Sequence, residues 1–147
     1  MNKTFSFTTD TATLSIFDLV SLKHRVSDDA DWWSIPEDEL EEVNKGNVLF
    51  LNLGEDGQYT VRVVDNISEN YKSLFLNVPS GKVFVGAGED TSGGDLEPDG
   101  SDYMSGVFLI MDIGNYEVRF RRDSLDIVIS FIKSSENKNE ESALIRI

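Results

Sequence analysis

The sequence predicts a mainly β protein: a single antiparallel, β-sandwich-like domain with one or two short helices. Three observations carry that expectation. Short runs rich in β-branched and aromatic residues recur along the 147 residues, and turn signals separate them. The composition, 39% hydrophobic with 10% aromatic, is that of a chain able to bury a core. No internal repeat or linker divides the chain, so residues 1–147 read as one domain.

Taken in order, residues 4–8 and 11–16 supply two strands. Residues 17–25 hold a short helical turn with Leu19, Val20 and Leu22 apolar. Ser34-Ile35-Pro36-Glu37-Asp38-Glu39 opens a helix, because proline is tolerated in the first turn and acids suit the positive end of the helix dipole. That helix runs to about Asn44, where Lys45-Gly46-Asn47 stops it, and it presents a face of carboxylates with Leu40 and Val43 as anchors. The apolar run 48–53, the turn Gly54-Glu55-Asp56-Gly57 and the alternating Tyr59, Val61 and Val63 read as a β-hairpin. Residues 74–78 and 83–85 flank Pro79-Ser80-Gly81 as a second strand pair. Residues 107–113, Gly114-Asn115 and 116–120 read as a third hairpin. Residues 125–132 and 143–147 complete the strand set. Residues 88–102 form an acidic, Gly-rich loop whose glycines (86, 88, 93, 94 and 100 in this region) suggest no fixed geometry, and residues 134–141 a polar, mobile one.

Charge narrows the function. The formal net charge is -14, from 27 acidic and 13 basic residues. Eight carboxylates, Asp28, Asp29, Asp31, Glu37, Asp38, Glu39, Glu41 and Glu42, share one stretch with no Lys or Arg among them. Six more, Glu89, Asp90, Asp95, Glu97, Asp99 and Asp102, share a second, so 14 of the 27 lie in two places. Such a field repels nucleic acid and anionic lipid and steers basic proteins or cations inward. There is no cysteine, which removes disulfides, thiolate metal sites and a Cys nucleophile. The N-terminus has one basic residue and no apolar run, and no stretch approaches the ~18 apolar residues of a membrane helix. A cytoplasmic protein that engages no membrane is expected.

Candidate chemistry is sparse. His24 is the only histidine, so a multi-His metal site is excluded, and Lys23 and Arg25 beside it make an ordinary basic turn. Paired carboxylates suit glycoside hydrolysis, and alternating acids over 95–102 suit calcium, but the EF-hand spacing and its closing Glu are absent. No cofactor or metal is assigned. A phosphate cradle in the Gly-rich loop is opposed by the six carboxylates around it. Trp32-Trp33 lies between acids: Trp33 is expected to pack the helix onto the sheet, and Trp32 to stay exposed as an apolar anchor for a partner. Arg119, Arg121 and Arg122 have Glu117, Asp123 and Asp126 as ion-pair partners rather than forming a nucleic-acid site.

The stretch 76–86 (LNVPSGKVFVG) followed by 107–120 (VFLIMDIGNYEVRF) resembles the C-terminal half of the competence nuclease-inhibitor family. The shared pattern is a strand, a Pro/Gly turn, a strand ending in small residues, and an apolar strand leading into Gly-x-Tyr. It covers about a third of the chain. The acidic insertion 88–102 and the Trp32-Trp33 helix depart from it. The chain is also similar in general character to bacterial immunity proteins. The resemblance implies a small acidic β protein that inhibits a nuclease, and it transfers no site residue.

Together these readings predict a non-enzymatic binding protein that covers the active site or substrate groove of a basic toxin or nuclease. The partner surface is the segment 28–42 with Trp32 and Trp33, and the segment 89–102 is a second candidate surface. A calcium- or carbohydrate-binding β module and a carboxylate-based glycoside hydrolase stay open as alternatives, as does the oligomeric state.

Overall fold

The computed structural model describes residues 2–101 and 104–147. Ten strands follow in chain order: β1 (Lys3–Thr9), β2 (Thr13–Asp18), β3 (Leu49–Asn52), β4 (Gly57–Val63), β5 (Lys72–Val78), β6 (Lys82–Ala87), β7 (Gly106–Ile110), β8 (Gly114–Asp123), β9 (Asp126–Ser134) and β10 (Ile145–Arg146). They form two five-stranded sheets, one in the order β1-β4-β9-β8-β5 and the other β10-β3-β2-β6-β7. The β-sandwich-like class expected from the sequence is what forms. Pairing is antiparallel except for β4 with β9 and β3 with β10, which makes both sheets mixed.

The two sheets have different surroundings, and their sequences say so. In the first sheet β4 and β5 alternate buried and more exposed residues, as strands with one face in the core must. In the second, all six residues of β2 and five of the six in β6 are buried. A main core between the sheets gathers Phe7, Ile16, Leu51, Val61, Leu76 and Phe120 among others. A second cluster of Phe17, Leu22, Trp32, Val43, Phe50 and Phe84 covers the outer face of the second sheet. That cover explains why 48–51 and 83–87 read as unbroken apolar runs: such strands are buried on both sides.

None of the three expected strand pairs around a turn signal is a hydrogen-bonded pair. β3 and β4, β5 and β6, and β7 and β8 each lie in different sheets, so each turn is an arch between layers. The tight hairpin is β8–β9, where Asp123 pairs with Asp126 across Ser124-Leu125. The arches have a shared device. Gly57 and Gly114 open β4 and β8 at φ 145° and 154°, a backbone region that favours glycine. Two residues later the hydroxyls of Tyr59 and Tyr116 donate to the carbonyls of Glu55 and Asp112, both at 2.6 Å. Each corner is thus tied back on itself, as at the tyrosine corners of other sandwiches. The Gly-x-Tyr signature marks a change of sheet, not a hairpin.

Two long excursions build the cover on the second sheet. The connection from β2 to β3 carries 3-10 turns at Leu19–Arg25 and Trp32–Ser34 and the helix α1 (Pro36–Asn44), which has the bounds expected from its sequence. The connection from β6 to β7 carries a 3-10 turn at Gly88–Asp90 and the acidic Gly-rich segment. The fully buried carboxylate of Asp18 ties the first excursion to the β5–β6 arch. It accepts from the backbone N–H of Val20, Ser80 and Gly81 and from the Ser80 hydroxyl. In the polar segment 134–141, the buried side chain of Asn139 bonds both backbone groups of Phe75 and the carbonyl of Val43.

Candidate functional site

Both acidic stretches lie in these excursions, and they meet. The backbone N–H of Gly94 donates to the Asp28 carbonyl and that of Asp95 to the Val26 carbonyl, each at 2.7 Å. Trp32 Nε1 donates to the Ser92 carbonyl at 2.7 Å. Lys23 Nζ reaches Glu97 at 2.5 Å. The glycines here are required for contact, contrary to the expectation that they fix no geometry. A Cβ on Gly93 would stand 3.0 Å from Trp32 Cδ1, and one on Gly94, at φ 60°, 2.9 Å from Ala30 Cβ. The two candidate surfaces are one continuous surface.

Within the first stretch the acids are not a uniform solvated face. Arg25, its side chain only 14% exposed, pairs with Glu42 at 2.7 Å, Asp28 at 3.1 Å, Glu41 at 3.2 Å and Asp38 at 3.7 Å. Its guanidinium also sits 4.6 Å from the centre of the Trp32 ring. Glu42 is buried and receives further bonds from His24 Nε2 at 2.8 Å and Asn47 Nδ2 at 2.9 Å. Burial pushes the Glu42 carboxyl up, but the bonds from Asn47, Arg25 and His24 outweigh it and hold the group below the usual carboxylate range. Glu39 is buried too and its carboxyl group has no hydrogen bond or ion pair among the described residues, so burial alone pushes its pKa up to about 7. Both face inward with Val43 because 39, 42 and 43 share one stripe of the helix. Glu39 and Glu42 are therefore not surface charges.

Trp32 is not the exposed anchor the sequence led us to expect; it is 3% exposed. Its ring meets Phe50 edge-on at 6.2 Å, while Trp33, half-buried, stacks on the same Phe50 at 5.5 Å. A 3-10 turn separates successive side chains by about 120° rather than the 180° of a strand, so adjacent indoles can straddle one ring. Within the two acidic stretches, Asp29, Asp31, Glu37, Asp95 and Asp99 are the carboxylates left exposed without an ion pair among the described residues, and Glu41 is exposed but shared with Arg25 and Lys45. The apolar side chains exposed beside them are Ile35 (49%) and Leu96 (75%).

The second stretch is similarly divided. Glu89 accepts from Thr9 Oγ1, Thr11 Oγ1 and the backbone N–H of Asp10, clamping the β1–β2 arch. Burial raises its pKa and those bonds, led by the Asp10 N–H, lower it further than burial raises it. Asp90 accepts from the Ser105 N–H at 2.8 Å, and burial leaves it above the usual aspartate range. Asp102 lies outside the described residues. Two grooves flank the ridge 28–31: one of about 430 Å³ beside Asp29, Asp31, Ile35 and Asp38, and one of about 360 Å³ between Ala30 and the 89–101 segment. Sequence reasoning missed Arg25 as the hub of the acids. Its one signal was position, three residues ahead of the first carboxylate of an otherwise cation-free run.

A family model, described as a family of unknown function (DUF6386), matches residues 1–147. The chain belongs to the DUF6386 family. Two solved structures share the fold of this DUF6386 protein. One is described as crocagin biosynthetic gene J, with a TM-score of 0.53 and 12% identity over 90% of this chain and 96% of the other. The other is ComJ from Bacillus subtilis, an inhibitor of the DNA-degrading activity of NucA, with a TM-score of 0.53 and 10% identity over the same shares. At these identities the likeness is one of fold. The resemblance to nuclease inhibitors noted in the sequence thus extends, in ComJ, to the architecture. No curated protein sequence matches the chain. Among the described residues no helix is long and apolar enough to cross a membrane.

Proposed function

We propose that this DUF6386 protein is a cytoplasmic, non-enzymatic inhibitor that binds a basic toxin or nuclease and covers its active site or substrate groove. The observation that carries this reading is the convergence of two acidic segments, distant in sequence, on one face of the second sheet. Asp29, Asp31, Glu37, Asp95 and Asp99 stand there exposed, with Ile35 and Leu96 as apolar contacts. Opposed charge of this kind raises the association rate and rejects wrong partners, while a few desolvated contacts set the lifetime of the complex. The fold shared with ComJ supports an inhibitor-type role. Carboxylates in place of substrate phosphates would explain how an acidic protein blocks a nucleic-acid groove.

The test uses the product of the neighbouring gene, which this reading expects to be a basic protein. The two should co-purify, and stoichiometric DUF6386 protein should suppress the other's activity. Reversal of Asp29, Asp31 and Glu37 to Lys should slow association and weaken its salt dependence, because exposed charges act through the screened long-range field. If the activity is untouched by excess protein, or the triple reversal alters neither rate nor salt dependence, the reading fails.

A further inference from the structure

The groove of about 360 Å³ behind the ridge joins two kinds of wall. Ala30, Leu96, Pro98 and Met104 make it partly apolar, and Asp90 and Asp99 place carboxylates along it. Asp90 spends one oxygen on the Ser105 N–H, and Oδ1 has no partner among the described residues. Thr91 forms part of the same wall at 4% exposure, and its Oγ1 is buried with no hydrogen-bond partner among the described residues. A buried hydroxyl left unsatisfied is uncommon, because each such group forfeits its hydration without replacement. Asp99 Oδ1 already accepts from the Ser101 N–H at 2.9 Å, so it is Asp90 Oδ1 and Thr91 Oγ1, without partners among the described residues and beside an apolar wall, that describe a site short of one cationic ligand.

We propose that this groove takes the side chain of one arginine from the basic partner, an inference that rests on the inhibitor reading above. The aliphatic stem lies along Leu96, Pro98 and Met104, and the planar guanidinium presents its five N–H donors to Asp90, Asp99 and Thr91 Oγ1. Asp90, which burial holds above the usual aspartate range, gains the counter-charge it lacks. Leu96, the most exposed large apolar side chain of the described residues at 75%, is covered in the same event.

The probe is N-acetyl-arginine methylamide, titrated into isotope-labelled protein and followed by the backbone amide resonances, with the citrulline counterpart as an uncharged control of nearly the same shape. Saturable shifts are expected at Thr91, Gly93, Gly94 and Leu96, with citrulline at least tenfold weaker. Ala30→Leu fills the groove without removing a charge. Asp90→Asn removes the charge while keeping an acceptor for Ser105. Each should weaken arginine binding at least tenfold with the far-ultraviolet spectrum unchanged. Equal shifts from arginine and citrulline, or either variant binding arginine as well as the parent does, would overturn the proposal. Asp29, Asp31 and Glu37 do not line this groove, so the two readings separate. A triple reversal that weakens the partner while arginine fails to bind removes only the pocket, and arginine binding with a partner indifferent to the reversal removes only the inhibitor surface.

Discussion

Replacing Glu39 with Gln should stabilise the protein at pH 8 and leave it nearly unchanged at pH 4.5. The unfolded side chain ionises near 4.5, whereas in the folded protein burial keeps its proton on until about pH 7. A group whose folded pKa is raised contributes stability that is complete below the unfolded value and is lost as pH rises through the folded one. Between pH 4.5 and 7 the unfolded chain releases a proton the folded chain retains, so the Glu39 contribution falls throughout that window. At about 1.4 kcal/mol per pH unit, the full loss is about 3 kcal/mol, reached above pH 7. Gln cannot ionise, and its gain over Glu should grow across the same window toward that ceiling. Urea unfolding followed by Trp32 and Trp33 fluorescence at pH 4.5, 6, 7 and 8 measures it directly. A difference between the two proteins that does not change with pH would refute the reasoning, because it would mean that Glu39 ionises in the folded state as it does in the unfolded one.

Other expectations are as specific. Arg25→Ala strands the buried Glu42 carboxylate and should cost about 3 kcal/mol in urea unfolding near neutral pH. Because Glu42 is held below 4.5, its stabilisation exists above that pH and is lost as pH falls, so the deficit of the variant should shrink in acid. Trp32→Ala should act on folding rather than on the lifetime of a complex, lowering stability by about 3–5 kcal/mol through the cavity left against Phe50. Ser124 holds φ 60° in the β8–β9 turn. Ser124→Gly should raise the melting temperature, with a gain of up to about 1 kcal/mol from relief of a left-handed backbone.

Strand positions were legible in the sequence, and pairing was not. Turn signals report that the chain reverses. They do not report whether it returns in the same sheet or crosses to the other. The distinction was nonetheless present in the periods: β3 carries the apolar run 49–51 and β6 the run 83–87, while their neighbours β4 and β5 alternate. Strands with one open face and strands covered on both belong to different layers. The helix 36–44 was readable from Pro36 and its acidic first turn, but the inward stripe of Glu39, Glu42 and Val43 was not, because two carboxylates at core-facing positions invert the usual pattern. For the candidate site, the acids themselves were visible as runs. Their assembly into one surface depended on Gly93 and Gly94 packing against Trp32 and Ala30, a tertiary contact that no local spacing encodes.

The arches also bear on how quickly the chain can find its structure. β8–β9 is the adjacent strand pair closed by a two-residue turn, while β1 must wait for β4, β2 for β3 across the 19–48 excursion, and β4 for β9 across more than sixty residues. Contacts of such sequence separation require large loops to close before they return any energy. Refolding should accordingly be slow for a chain of this size, on the order of milliseconds to seconds, as in other non-locally paired β domains. The β8–β9 ribbon, with Val118 and Phe120 facing Phe131 and Ile129 across it, is the natural first template, and β4 and β5 can then add to its two edges.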